Sequence, residues 1–298
     1  MKYRLIDEEK VHHPVSRLAR ALSVTRAAYY ASRSRPTSRR SLADAHLKEL
    51  IEKIYADSRD LYGAPKIHME LKLGHGVHVG RKRVARLMRE LSLVGVSKRR
   101  SARKRRSPGP EVAAAPDLVR RRFTASAPNE LWVADITYIE TWEGFLFLAA
   151  VMDVFTKRIV GWSMRDDLQA EIVVDALGMA ATVKRPGPGL VHHSDRGGQY
   201  RSLALGKTLR DAGIMQSMGS VGDAYDNAMA ESFMSTIKSE LVRKHTFKTR
   251  DQARLAVFSY IEGFYNPHRR HSAIGYLSPI EYETMLEKEG RTAVAVSI

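Results

Sequence analysis

From Leu131 to Met164 the chain reads LWVADITYIETWEGFLFLAAVMDVFTKRIVGWSM. Apolar and β-branched residues fill three runs, Leu131 to Ile139, Phe145 to Phe155 and Arg158 to Met164, and the turn Trp142, Glu143, Gly144 separates the first two. Runs of this kind, bounded by turn residues, predict three adjacent antiparallel strands. Further on, Gln169 to Val183 is helical in composition, Leu190 to Ser194 reads as a short strand, and Ser202 to Ala212 as a helix closed by Gly213. Strands first and then strand and helix in alternation predict an α/β domain, a mixed sheet flanked by helices.

Within that frame Asp135 sits mid-strand, where a carboxylate is out of place unless it is paired or ligates a metal. Asp195 follows Leu190 to Ser194, at the C-terminal edge where α/β sheets place their ligand crevices. Glu231 falls on a helix expected to start near Asn227, after the loop Gly219 to Gly222. Taken singly, Asp195 equally opens the turn Asp195, Arg196, Gly197, Gly198, Glu231 is equally an exposed helical acid, and His193 a core histidine. Taken jointly, carboxylates from two strands and one helix are expected to converge on one sheet edge. Hard oxygen ligands suit Mg2+ or Mn2+, and two such ions about 4 Å apart can activate a water and stabilise the leaving oxygen of a phosphodiester. The chain has no cysteine, which excludes disulfides, thiolate zinc sites and cysteine nucleophiles.

Upstream of this domain the charge changes. Of the net +16, residues Met1 to Thr124 carry +18, and Ala125 to Ile298 carry −2. A front half that basic matches a polyanion, since each neutralised phosphate releases counterions. Val15, Leu18, Ala19 and Leu22 share one helical face and Thr25 to Ser32 follows, the outline of a small helix-turn-helix whose second segment offers Arg26, Tyr29 and Tyr30 to DNA. A second unit places Leu47, Leu50, Ile51, Ile54 and Tyr55 on one helix, Ile67 to Leu73 on another, and Val84, Leu87, Met88 and Leu91 on a third. That last helix turns Arg81, Lys82, Arg83, Arg86 and Arg89 outward. Three short helices ending on a basic one suit DNA, although a plain structural bundle has the same pattern. Between Ser97 and Arg106 seven of ten residues are basic, namely Lys98, Arg99, Arg100, Arg103, Lys104, Arg105 and Arg106, a linker expected to order along phosphates. The longest apolar run, Phe145 to Met152, is eight residues, and Met1 to Lys10 is charged, so neither a membrane span nor a signal peptide is expected.

These motifs jointly resemble the DDE transposases of the bacterial insertion sequence three family. Trp132 to Tyr138 resembles the family's first-aspartate strand, and His193 to Tyr200 (HSDRGGQY) its second block. Tyr225, Asp226 and Asn227 with Glu231, Ser232 and Phe233 resemble the third, 35 residues separating Asp195 from Glu231. Tyr265 to His271 (YNPHRRH), followed by Gly275, Tyr276 and Pro279, resembles the C-terminal signature. The resemblance implies a ribonuclease H-like catalytic domain akin to retroviral integrases, with Asp135, Asp195 and Glu231 as catalytic metal ligands and two Mg2+ ions, replaceable by Mn2+. It makes His193, Asn227, Tyr265, Asn266, Arg269 and His271 supporting residues. In the family the lysine at the position of Lys238 assists DNA contact, and seven residues at 100° each return it to within about 20° of the Glu231 face.

The implied reaction is hydrolysis at the ends of an insertion sequence, followed by transfer of the freed 3′-hydroxyl to another strand. Partners expected from the resemblance are double-stranded DNA, as terminal inverted repeats and target, and further copies of the chain on that DNA. No membrane partner is expected, and the location implied is a bacterial cytoplasm, at the nucleoid. Two alternatives stand beside this reading: a DNA-binding regulator derived from a transposase, and a structure-selective nuclease of the same superfold. The expected organisation is a helix-turn-helix segment at 1–34, a three-helix DNA-binding domain at 42–96, a basic linker at 97–126, the catalytic domain at 127–285 and a tail at 286–298.

Overall fold

The computed structural model describes residues 2–34, 38–96, 115–119, 122–219 and 228–296. They fall into two units, Met1–Lys53 and Ile54–Ile298. The expected cations from Lys98 to Arg106, and Asn227, lie outside the described residues.

The first unit holds α1 (Lys2–Glu9), α2 (Val15–Ala21), α3 (Arg26–Ser34) and most of α4 (Arg39–Asp57). α1 carries too many charges to announce itself as a core element, yet Ile6 is fully buried against Ala19 and Tyr29. Ser23, in the left-handed region at φ 53°, ends α2, and the Thr25 hydroxyl caps α3 by accepting from the Ala28 N–H at 3.1 Å.

The second unit opens with α5 (Ala64–Leu73) and α6 (Arg81–Glu90). Pro65 sits in the first turn of α5, as its fixed φ favours. Ile67 and Leu71 of α5 and Val84, Leu87 and Met88 of α6 are buried, and the two helices pack together. The sheet follows: β1 (Leu131–Thr141), β2 (Gly144–Asp153), β3 (Ile159–Arg165), β4 (Val191–Ser194) and β5 (Met215–Met218), in the order β3-β2-β1-β4-β5. The first three run antiparallel as expected, with Trp142 and Glu143 as the turn and Gly144 entering β2 at φ 105°. β4 and β5 run parallel to β1, making the sheet mixed. This is the mixed sheet flanked by helices that the sequence predicts.

Alternation along β1 sends Trp132, Ala134 and Ile136 to one face, into a core built with α7 (Glu171–Lys184) and α8 (Leu203–Asp211). Gly161 of β3 lets α7 lie close, because a Cβ there would come 2.1 Å from the Ala176 carbonyl oxygen. α9 (Ala228–Glu240) and α10 (Arg250–Tyr260) pack on β1, and a π-helical turn, Ile261–Tyr265, extends α10. Last comes α11 (Pro279–Val296), so the stretch expected as a tail from 286 continues a helix, in keeping with the helix formers Glu287, Lys288 and Glu289. No helix of the described residues is long and apolar enough to cross a membrane.

Candidate active site

Strand register brings the first two acids together. β1 and β4 are parallel neighbours with Val133 opposite His193, and Asp135 and Asp195 each lie two residues past that pair. Parallel neighbours are about 4.8 Å apart, so the two acids leave neighbouring positions, where β4 ends and β1 runs on to Thr141. The loop after β4 fixes Asp195 by its own geometry: Oδ1 accepts from the Gly197 N–H at 2.9 Å, and a Cβ on Gly197 would come 2.9 Å from that same oxygen. Asp135 Oδ1 accepts from the Ile136 N–H at 2.9 Å.

Tyr200 lies beside both. Its ring is in the core and its hydroxyl is buried with no hydrogen-bond partner among the described residues. Burial, helped by the charges of Asp135 and then Asp195, pushes the phenol well above its ordinary value, so it stays neutral and can only donate to them.

The third acid comes from α9. Glu231 is in the first turn and exposed, while Ala230, Phe233, Met234 and Ile237 bury the opposite stripe. Lys238 is half-buried with Nζ 4.5 Å from the centre of the Tyr138 ring. Burial lowers its pKa, and the Asp135 charge opposes that, which puts the ammonium within electrostatic reach of the first acid. Among the described residues no three His, Asp or Glu side chains close on one point as a metal ligand set would. The structure therefore sets Asp135 and Asp195 on neighbouring parallel strands and Glu231 on a helix against β1, without closing the triad.

Several expected site residues turn out to be framework. His193 is buried, its Nδ1 2.9 Å from the Ser217 hydroxyl of β5 and its ring edge-on to Phe123, which makes it a core histidine. Asn266 is buried and pairs with the backbone of Ile159, accepting from its N–H and donating to its carbonyl, both at 3.0 Å. Tyr265 is buried between Phe233 and His271, with ring centres 5.1 and 4.9 Å away. Arg269 forms a fork with Glu240, Nε to Oε2 at 2.8 Å and Nη2 to Oε1 at 2.6 Å, and its Nη1 lies 3.3 Å from His271 Nε2. The C-terminal signature thus holds the end of α9, nine residues from Glu231. Glu240 escapes a reading of the sequence, and Tyr200, quoted only as the end of the second block, does not disclose its place beside the acids, since an acid late in an amphipathic helix and a tyrosine after a glycine turn carry no mark of their partners.

Of the expected DNA contacts, Arg26, Arg81 and Lys82 are exposed. Arg83 and Arg86 are half-buried, Arg86 pairing with Glu90 at 2.5 Å. Tyr29 corrects the expectation: it is fully buried, and its hydroxyl donates to Asp7 at 2.9 Å, so it is core and cannot reach a base. Its apolar ring had a partner in α1, an element the sequence did not reveal.

The integrase core domain family matches residues 125–224, a second integrase core family residues 212–279, and the HTH-like domain family residues 41–101. The chain is 38% identical to the transposase for insertion sequence element IS629 of Shigella sonnei, over 94% of this chain and 94% of that one. It is 40% identical to the transposase for insertion sequence element IS904 of Lactococcus lactis, over 80% and 93%, and 35% identical to transposase InsF for insertion sequence IS3A of Escherichia coli, over 95% and 98%. Among solved structures it is similar to the HTLV-2 integrase catalytic core domain in complex with magnesium, at 15% identity and a TM-score of 0.42, over 53% of this chain and 99% of that one. Likeness to named transposases along nearly the whole chain, with a helix-turn-helix-like domain ahead of an integrase core, makes this protein a member of the insertion sequence three family of DDE transposases, polynucleotidyl transferases that act on DNA.

Proposed function

We propose that this transposase hydrolyses a phosphodiester at each end of its insertion sequence and joins the freed 3′-hydroxyl to another DNA strand, with Asp135, Asp195 and Glu231 as the reactive centre. The observation that carries the proposal is the matched position of Asp135, within β1, and Asp195, just past the end of β4, each two residues beyond the paired Val133 and His193 of these parallel neighbours. An integrase-type core implies a divalent metal. The donors present suit one, being carboxylates from two neighbouring strands, with Asp195 held by the Gly197 N–H and a buried tyrosine hydroxyl beside both acids. Asp135 and Asp195 would hold the Mg2+ ions, two in number on our reading, and Glu231 would complete the set from α9. When bound, such ions activate a water and neutralise charge on the leaving oxygen.

The remaining roles belong to the chain. Tyr200 keeps its proton and so adds no charge beside the two acids. Lys238, next to Tyr138 and within reach of Asp135, would hold a phosphate near the acids and position the strand. In the first step water oxygen bonds to phosphorus and the 3′-oxygen leaves with a proton. In the second that 3′-oxygen bonds to another phosphorus and displaces a 3′-oxygen there, so one phosphodiester replaces another and no energy source is required. Exposed cations on α6 would carry the end sequence, and several copies would assemble on paired ends.

Labelled duplexes bearing the element's ends, incubated with the protein and Mg2+, test this. Asp135→Asn, Asp195→Asn and Glu231→Gln should each abolish cutting and joining while DNA affinity stays near wild type, because the amide keeps shape and loses charge. Joining by any of the three above a few per cent of wild type would remove that residue from the centre.

A further inference from the structure

The α5–α6 pair is closed on itself. Tyr55 donates its hydroxyl proton to the Val94 carbonyl at 2.9 Å, and the Val96 N–H donates to the Leu61 carbonyl at 3.1 Å. The exit of α6 lies so tightly over the entry of α5 that a Cβ on Gly95 would come 2.3 Å from the Gly63 nitrogen.

Through α5 and the turn leading into it, the pair is also keyed into the catalytic core. The Tyr62 hydroxyl donates to the His268 carbonyl at 3.0 Å and accepts from the Arg270 N–H at 2.8 Å, gripping the C-terminal signature by its backbone. Arg270 reaches back to Glu70 of α5, Nε to Oε2 at 2.6 Å and Nη2 to Oε1 at 3.2 Å, and to Glu281 of α11 at 2.6 Å. Arg59 donates to the Ser259 carbonyl and hydroxyl at 3.1 and 3.0 Å and lies 5.3 Å from the Phe264 ring centre. Lys244 donates to the carbonyls of Arg59 and Asp60. One residue before Arg270, Arg269 clamps Glu240 at the end of α9. Three consecutive residues, 268 to 270, therefore touch both the helix pair and the helix that carries Glu231.

We propose that this docking makes α5–α6 a ruler: it fixes the distance along the DNA between the segment these helices hold and the phosphodiester the acids cut. Tyr62 and Arg270 are its positioning residues, and the inference rests on the cutting activity proposed above. A free helix pair on a linker would bind as well but would let the site slide over neighbouring phosphodiesters. A docked pair selects one.

The test maps cut positions at nucleotide resolution on an end-labelled element duplex with Mg2+, for the full-length wild type and for Tyr62→Phe combined with Glu70→Gln. DNA affinity is measured separately in EDTA. Phenylalanine keeps the ring and loses both hydrogen bonds, which shifts the docking equilibrium roughly tenfold. The double variant should bind within about twofold of wild type while its cuts spread to flanking phosphodiesters, a change that a merely stabilising role for these contacts would not produce. A single sharp cut at the wild-type position and rate would overturn the ruler.

A second arm needs no variant. One or two base pairs are inserted between the segment protected from footprinting and the cut site, and the wild-type cut should move to keep its spacing from that segment. A cut that stays with its local sequence overturns the inference equally, and decides the matter if the double variant fails to fold. A wild type that binds the ends but cuts nowhere sinks the transposition reading and the ruler with it, whereas a sharp, unmoved cut sinks the ruler alone.

Discussion

At the level of single residues, two buried polar groups near the acids make opposite statements about stability. The Tyr200 hydroxyl is buried without a partner among the described residues, and an unsatisfied hydroxyl costs about 1–3 kcal/mol. Tyr200→Phe should therefore stabilise the metal-free protein by about 1 kcal/mol in chemical denaturation. A loss of that size would mean that the hydroxyl donates to one of the acids in solution. His192, whose Nδ1 is likewise without a partner among the described residues, gives the pH dependence. Burial first, then the neighbouring His193, pushes its imidazole from 6.5 down to about 4. The unfolded chain takes up that proton near pH 6.5 and the folded one does not until about pH 4, so stability falls as pH drops through this window and is unaffected above it. Melting temperature measured from pH 7 to pH 4 should fall less steeply in His192→Leu than in wild type; parallel curves would show that His192 is protonated in the fold. Asp135 was the most legible residue of the site, because a carboxylate inside an apolar strand demands a reason. Tyr29 was misread for the converse cause: its polar tip and basic neighbours suit DNA, and only the third dimension supplies Ile6 and Asp7 to bury and bond it.

Among the elements, α9 matters most, and its far end explains how its near end is held. Arg269 and Glu240 form a buried fork, and Tyr260 donates to the same carboxylate at 2.7 Å. Burial raises the Glu240 pKa, but the hydrogen bonds and charge of Arg269 outweigh it and hold the group below its usual value, so the pair is ionised. Breaking one side of such a pair strands the other charge: Arg269→Met should cost about 3–5 kcal/mol in denaturant unfolding, and Arg269→Met with Glu240→Leu should recover much of it. Additive losses would deny the coupling. Lys238, two residues before Glu240, acts on DNA in our reading. Lys238→Ala should lower joining at limiting DNA and recover in part at high DNA concentration, whereas a lost metal ligand would not recover. Behaviour like wild type at every DNA concentration would discard the lysine. β1 to β3 were legible because apolar and β-branched residues run almost unbroken through strands of seven to eleven residues, whereas β5, Met215–Met218, has no β-branched residue and owes its existence to Ser217 and the β4 register. The C-terminal signature was legible as a motif and not as a role, because a fork between residues 240 and 269 leaves no periodic trace.

Over the whole molecule, the sequence already divides the labour by charge, +18 ahead of residue 125 and −2 after it. What it does not show is that α5 and the turn leading into it share hydrogen bonds with the catalytic core, since the partners lie some 200 positions apart. The basic run from Lys98 to Arg106 then matters for affinity in a way separable from that docking. Phosphate contacts displace counterions, and each contributes about −0.9 to the slope of log K against log salt on duplex DNA. If all seven cations of the run lie along phosphates, replacing them with serine should flatten the slope by up to about 6. The loss should be equal on the element's end and on unrelated duplex, because phosphates carry no sequence. The ratio of specific to nonspecific affinity should therefore hold while both fall, most at low salt. Substituting Arg81 and Lys82 of α6, which are exposed on the helix-turn-helix-like domain, should do the reverse and erode that ratio with a slope change of no more than about 2. A slope unmoved by the serine run would mean that these cations do not meet DNA, and the excess positive charge of the front half would then have to act through its helices alone.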